Sequence, residues 1–216
     1  MLLGCLAAGV PGRMAAQGAD LHGKLIILDK GGKRAADVVT AVVWLEGATG
    51  RRPGNVQNVT QDKSFAPGVV VIAPGSSVSF PNYDPFNHNV FSLAEEQPFD
   101  LGLYGRGETR IARFSKPGIV PVYCNVHAQM AAVVLVIESP FHARPAADGS
   151  FTLPGVPPGK YQIEIWHDRG GRLSQPVTVT AGGAAPIELT LDASSFKAKP
   201  HLNKFGKPYP SEGRRY

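Results

Sequence analysis

The sequence predicts an all-β fold, and three observations carry that expectation. The 216 residues include 25 glycines and 19 prolines, spread along the chain as turn-formers between short apolar runs. Those runs are rich in valine and isoleucine, and several alternate with polar residues at the two-residue period of a strand. No long segment repeats its apolar residues at the helical period of 3.6. An apolar content of 43% suffices for one generous core or two small ones, and the length favours two domains.

In chain order, residues 1–10 are apolar and small residues follow up to Ala19, the pattern of an export signal over 1–19. A buried strand is the alternative for that stretch, since it lacks a basic start; acylation at Cys5 is a third reading. No run reaches the ~20 apolar residues of a transmembrane helix. Residues 24–28 and 38–45 are apolar and flank Asp29-Lys30-Gly31-Gly32, which reads as a strand pair joined by a glycine turn. A polar stretch over 47–54, with Arg51, Arg52 and Pro53, reads as a linker. A series of strands is then expected at 69–72, 77–80, 88–93, 109–114, 120–124 and 132–137, a spacing that suits a β-sandwich. After Ser139-Pro140, the alternation of Tyr161, Ile163 and Ile165 marks another strand, with further strands at 176–180 and 187–191. Residues 193–216 hold six Lys or Arg against one Glu and read as a basic, largely extended tail.

The chemistry concentrates in Tyr123-Cys124-Asn125-Val126-His127-Ala128-Gln129-Met130, where three metal-ligating side chains share one short loop. His88 lies at the start of an expected neighbouring strand and supplies a fourth. Thiolate and thioether stabilise Cu(I), and imidazole tolerates both oxidation states, so His88, Cys124, His127 and Met130 form a mononuclear blue-copper ligand set. Zinc fits less well because methionine is a poor zinc ligand. Removal of a leader would take Cys5 with it and leave Cys124 as a lone thiol, which coordination would occupy; a buried free cysteine is the bland alternative. His22, His142, His167 and His201 stand alone in sequence and read as surface or half-buried residues. Trp44 and Trp166 sit in alternating strands and read as core.

The segments Phe65-Ala66-Pro67, Phe80-Pro81-Asn82-Tyr83-Asp84, His88-Asn89-Val90, Pro117-Gly118 and the Cys-x-x-His-x-x-Met loop resemble the bacterial plastocyanin and amicyanin-like cupredoxins, including those of the methylamine utilisation type. The resemblance implies a Greek-key cupredoxin sandwich over 54–139 that binds one type 1 copper ion. It also implies equatorial ligands at His88, Cys124 and His127 and a weak axial one at Met130. Asn89 is the residue expected to bridge from His88 to the Cys124 loop; a turn Asn bonding its own backbone is the alternative. The flanks, Gly23-Lys24-Leu25 through Trp44 and Asp148-Gly149-Ser150-Phe151 through Tyr161, resemble the carboxypeptidase regulatory-like, prealbumin-type sandwich. This suggests that 20–47 and 147–192 form a second small sandwich that the copper module interrupts or adjoins. Two sequential domains, with an N-terminal strand donated to the cupredoxin sheet, are the alternative.

Single-electron transfer in the periplasm is the function that follows, with copper storage, delivery or partner docking as the other reading. An oxidase would carry histidine directly after the blue-copper cysteine, and Asn125 stands there, so no enzyme is expected. The net charge of +5, much of it in the tail, suits an acidic redox partner protein or an anionic surface, while a tail that serves only solubility is the alternative. Nucleic acid is not expected, and the sequence is silent on oligomeric state.

Overall fold

A computed structural model describes residues 18–209. The export segment expected over 1–19 lies outside the described residues except for its last two positions, as does the end of the tail beyond 209. The described chain forms seventeen strands: β1 Ala19–Leu28, β2 Val42–Glu46, β3 Asn55–Gln57, β4 Val59–Gln61, β5 Ser64–Ala66, β6 Val69–Ile72, β7 Ser76–Pro81, β8 His88–Ser92 and β9 Phe99–Tyr104. They continue as β10 Thr109–Phe114, β11 Gly118–Cys124, β12 Ala131–Val136, β13 His142–Ala143, β14 Ser150–Val156, β15 Gly159–His167, β16 Gly171–Val179 and β17 Ile187–Asp192. Two short 3-10 turns, Lys30–Gly32 and Ala36–Thr40, are the helical elements among the described residues.

Four sheets stack as layers, in the orders β14-β1-β17, β13-β2-β15-β16, β6-β12-β11-β8-β9 and β10-β7-β3, with β4 and β5 forming a separate hairpin. The period-two alternation of each strand decides which core each residue enters. Val43, Leu45, Ile163 and Ile165 point into the first core with Leu25, Ile27, Leu153 and Leu189, and Tyr161 packs at its margin as the alternation predicts. Val78, Phe80, Phe114, Val122 and Val134 fill the second core. The residues between them in sequence face the other way. Val42, Trp44 and Trp166 meet Leu135 and Ile137 in a third cluster between the two sandwiches. This explains why β2 is buried at four successive positions: its sheet is an inner layer with apolar packing on both faces.

The strand pair expected across Asp29-Lys30-Gly31-Gly32 does not form. β1 pairs instead with β14 and, in parallel, with β17, whereas β2 pairs with β13 and β15. Gly31 and Gly32 do adopt left-handed φ values of 78° and 71°, but the chain then runs through Ala36–Thr40 and crosses from one sheet to the opposite one. A glycine turn fixes a reversal; the pairing is set by strands about a hundred residues or more away. Two connections link the sandwiches, and they are held together where the Arg51 N–H donates to the Glu138 carbonyl at 3.2 Å. The Arg51 guanidinium donates to the Val71 carbonyl at 2.9 Å and Arg144 to the Val69 carbonyl at 2.7 Å, satisfying the exposed edge of β6.

One of the isolated histidines departs from expectation. His167 is fully buried, where its sequence neighbourhood predicts a surface or half-buried position. Its Nδ1 accepts the Gly170 N–H at 3.2 Å, and its Nε2 lies 3.5 Å from the Asp37 carboxylate. Asp37 is itself engaged by Arg169, which also pairs with Asp29. Burial holds the His167 pKa below its ordinary value against the pull of Asp37. The folded state therefore binds fewer protons here than the unfolded chain. Stability from this site is full above the unfolded value near 6.5 and is lost as pH falls toward the depressed folded value. Urea unfolding is expected to show a smaller unfolding free energy at pH 5 than at pH 7, with a shallower pH dependence in His167→Gln.

Candidate metal centre

The end of the β8–β11 pair builds the site. Antiparallel pairing sets Cys124 opposite Val90 and Tyr123 opposite Phe91, which brings His88 at the start of β8 to the same end of the sheet as Cys124 at the end of β11. The chain then folds back within six residues. The Met130 N–H donates to the His127 carbonyl at 3.1 Å, and the Cys124 N–H donates to the Met130 carbonyl at 3.2 Å, so the ligand loop closes on itself.

Three donor atoms converge. Cys124 Sγ lies 3.5 Å from His88 Nδ1 and 3.7 Å from His127 Nδ1, and the two imidazole nitrogens are 3.2 Å apart. Donors that bind one first-row ion at about 2.0–2.3 Å each come this close to one another, so the triangle fits a single metal ion. His88 and Cys124 are completely buried, whereas His127 is half-buried and adjoins the exposed Val126. Met130 is buried in the same core as Cys124. Among the described residues, His88, Cys124 and His127 are the one group of three or more His, Cys, Asp or Glu side chains placed to hold a metal, and Cys124 is the free cysteine.

Each imidazole is aimed by its surroundings. His88 Nε2 donates to Asp84 Oδ2 at 2.8 Å, which leaves Nδ1 turned toward Cys124. The same carboxylate accepts the N–H groups of Asp62 and Lys63 at 2.7 and 3.1 Å, at a turn where both residues have positive φ. Asp84 thus couples the β4–β5 hairpin to the His88 ring. Phe86 packs against both histidines, with ring centroids 5.5 Å from His88 and 5.1 Å from His127. Burial alone would raise the Cys124 thiol pKa, but hydrogen bonds from His88 and from backbone N–H groups bring it below its ordinary value. Burial would lower the His88 pKa, yet Cys124 and Asp84 hold it above the usual range. For His127, burial and the neighbouring His88 push the pKa down.

Sequence reasoning singles out His88, Cys124, His127 and Met130; the structure brings the first three together by distance and places Met130 in the core beside them. Its expectation for Asn89 needs revision. The Asn89 side chain turns to Asp100 Oδ1 and the Gly102 carbonyl, at 2.5 and 3.1 Å, and the link to the ligand loop is main-chain, from the Asn125 N–H to the Asn89 carbonyl at 2.9 Å. Asp84 is the partner that residue-by-residue reading passes over, although its place four residues before His88 could have suggested it. The tail is the larger omission. Tyr209 Oη donates to the Cys124 carbonyl at 2.6 Å, and the Lys204 N–H donates to Asn125 Oδ1 at 3.0 Å.

Stacked β-sheets with a His-Cys-His cluster at one end define a cupredoxin, a copper-binding β-sandwich. The chain is 31% identical over 74 residues to plastocyanin of Ulva arasakii and of Ulva pertusa, covering 30% of this chain and 76% of each relative. It belongs to the plastocyanin family. Among solved structures, amicyanin from Paracoccus versutus is similar at 21% identity over 38% of this chain and 81% of its own, with a TM-score of 0.36. A purple cupredoxin from Nitrosopumilus maritimus matches at 20% identity, covering 53% of this chain and 99% of its own, with a TM-score of 0.33. A copper-containing nitrite reductase from Thermus scotoductus matches at 29% identity over 43% of this chain, with a TM-score of 0.37, and this chain spans 24% of the reductase. Residues 135–187 match the fibronectin-like family described as Polysaccharide lyase family 4, domain II. That match falls largely within the second sandwich, where the prealbumin type suggested by the flanking motifs stays a resemblance.

Proposed function

We propose that this chain is an exported carrier of single electrons, acting in the periplasm, with one type 1 copper ion held by His88, Cys124 and His127 and weakly by Met130. The observation that supports this reading most directly is the triangle of donor atoms, 3.2–3.7 Å on a side, with only His127 of the three ligands partly open to solvent. Bound copper supplies a one-electron Cu(II)/Cu(I) couple. Cys124 contributes the anionic thiolate, His88 is locked by Asp84 in the tautomer that offers Nδ1, and the sandwich fixes all three positions so that little rearrangement accompanies a change of charge. His127 provides the route to a partner, because its ring bridges the buried ligand set and the surface.

The partner is a redox protein with an acidic docking face, in keeping with the net charge of +5. Among the described residues, no helix is long and apolar enough to cross a membrane. No catalytic role is assigned to the site. The domain plan that accompanies this reading inserts a copper module, 54–139, between 20–47 and 147–192 of a second sandwich. The pairing of β1 with β14 and β17, and of β2 with β15, supports it.

The test is a visible spectrum of the purified protein after addition of Cu(II), followed by ascorbate and then air. Intense copper-thiolate absorption that bleaches and returns is the expected result. A protein that takes up copper only weakly and stays nearly colourless would remove the carrier reading, and one that gives up a single oxidation state to an acceptor would favour metal delivery.

A further inference from the structure

The outer face of the ligand-bearing sheet is covered by two different parts of the chain. Over β6 and β12, Val69, Val71, Val133 and Leu135 pack against the second sandwich. At the end of β11 and on β9 the contacts come instead from the C-terminal segment that follows β17. The His201 ring stacks on Tyr123 with centroids 4.1 Å apart and planes 18° from parallel. Tyr123 lies against the fully buried Phe91 at 5.9 Å. Beyond β11 the segment reaches β9, where Lys204 Nζ lies 2.7 Å from Asp100 Oδ2. Tyr209 then returns to the Cys124 carbonyl.

Lys204 completes a closed circuit around two ligands. Its N–H donates to Asn125 Oδ1, the Asn125 N–H donates to the Asn89 carbonyl, the Asn89 amide donates to Asp100 Oδ1, and Asp100 Oδ2 accepts the Lys204 ammonium. Asn89 and Asn125 directly follow His88 and Cys124 in sequence. Hydrogen bonds to charged groups are stronger than neutral ones, and two of these four engage the Asp100 carboxylate. The thiolate ligand therefore sits on backbone clamped from the core side by its own loop and from the outside by a segment that belongs to neither sandwich.

We propose that residues 201–209 are a strap that positions the Cys124–Asn125 backbone, with Lys204 and Tyr209 as its positioning residues, so that copper retention and reduction potential depend on the C-terminal segment. The potential and retention parts rest on the copper reading above; the backbone part does not. Lys204 and Tyr209 also bias the charge balance. An ammonium and an O–H dipole aimed at the ligand loop favour the oxidation state with less positive charge, so their removal lowers the potential.

The test uses the full chain with Tyr209→Phe combined with Lys204→Met, against Lys199→Met, which removes an exposed tail charge at a position outside the circuit. Hydrogen exchange of the Asn125 and Cys124 amides in metal-free protein, transfer of copper to an excess of chelator, and reduction potential are measured for each. For the double variant, exchange and copper transfer are each expected to accelerate by about fivefold or more per lost hydrogen bond, with a lower potential; Lys199→Met is expected to match wild type. Wild-type exchange in the double variant would overturn the strap. So would wild-type transfer and potential with the copper band intact, or equal effects from Lys199→Met. Wild-type protein without the band would fail the copper reading alone, and amide exchange would then decide the strap.

Discussion

Cys124→Ser is expected to abolish the copper-thiolate absorption while leaving the fold intact. The serine side chain nearly matches the cysteine in size, so the second core, where Cys124 packs among Val90, Val122 and Met130, loses little volume. The hydroxyl stays protonated at neutral pH and is a hard donor, which removes both the charge and the softness that select copper at this site. His88 and His127 remain 3.2 Å apart and can still hold Cu(II) weakly. Loss of partners one step outside the ligands commonly costs about 10–100-fold in metal affinity, so removal of the thiolate itself is expected to cost more than about 100-fold. Spectra and competitive chelation on the variant, beside far-ultraviolet circular dichroism to confirm the strands, make the measurement. Met130→Gln provides the contrast: if Met130 is the weak axial ligand of the proposed set, the band is expected to persist and the potential to move, because an axial ligand tunes a site without supplying its charge. A full band in Cys124→Ser would mean that the ligand assignment is wrong.

The site was far more legible in the sequence than the packing around it, and the difference has a physical cause. Cys124 and His127 are three residues apart, so a single loop brings them together, and the softness of a thiolate beside imidazoles points to copper without any knowledge of the sheet. His88 needed only the assumption of an adjacent strand. Strand positions were also readable, since alternation at Tyr161, Ile163 and Ile165 reports a local constraint. Pairing is not local. The runs at 24–28 and 38–45 have the composition of a hairpin, and nothing within them says that β1 belongs with β14 and β17 while β2 belongs with β15. The unbroken apolar run Val42-Val43-Trp44-Leu45 carried a hint, because a strand apolar on both faces requires a further layer beyond its own sandwich. The tail was misleading for another reason. Its lysines and prolines describe a solvated segment by composition, whereas its docking depends on one ring stack, one ammonium, one hydroxyl and one main-chain N–H, a set too sparse to shift any compositional signal.

Leu135→Ala is expected to destabilise both sandwiches together. Leu135 lies on β12 of the ligand sheet, yet its side chain points away from the second core and is fully buried against Val42, Trp44 and Trp166. Its neighbours Val134 and Val136 enter the copper-side core instead, so truncation at 135 opens a cavity specifically between the sandwiches. Such a truncation costs about 2–5 kcal/mol, a large fraction of the roughly 5–15 kcal/mol that holds a folded domain together. At about 2–4 °C per kcal/mol for a chain of this size, the melting temperature is expected to fall by about 4–20 °C. The two tryptophans of the chain, Trp44 and Trp166, both line this interface, so their fluorescence reports the contact while the copper band reports the ligand end of the other sandwich. With two connections crossing between the sandwiches and a shared apolar layer, the two signals are expected to move through one transition in wild type, shifted but still coincident in Leu135→Ala. Two separated midpoints in wild type would mean that the interface is too weak to couple the sandwiches, which would then be joined only by their two covalent connections.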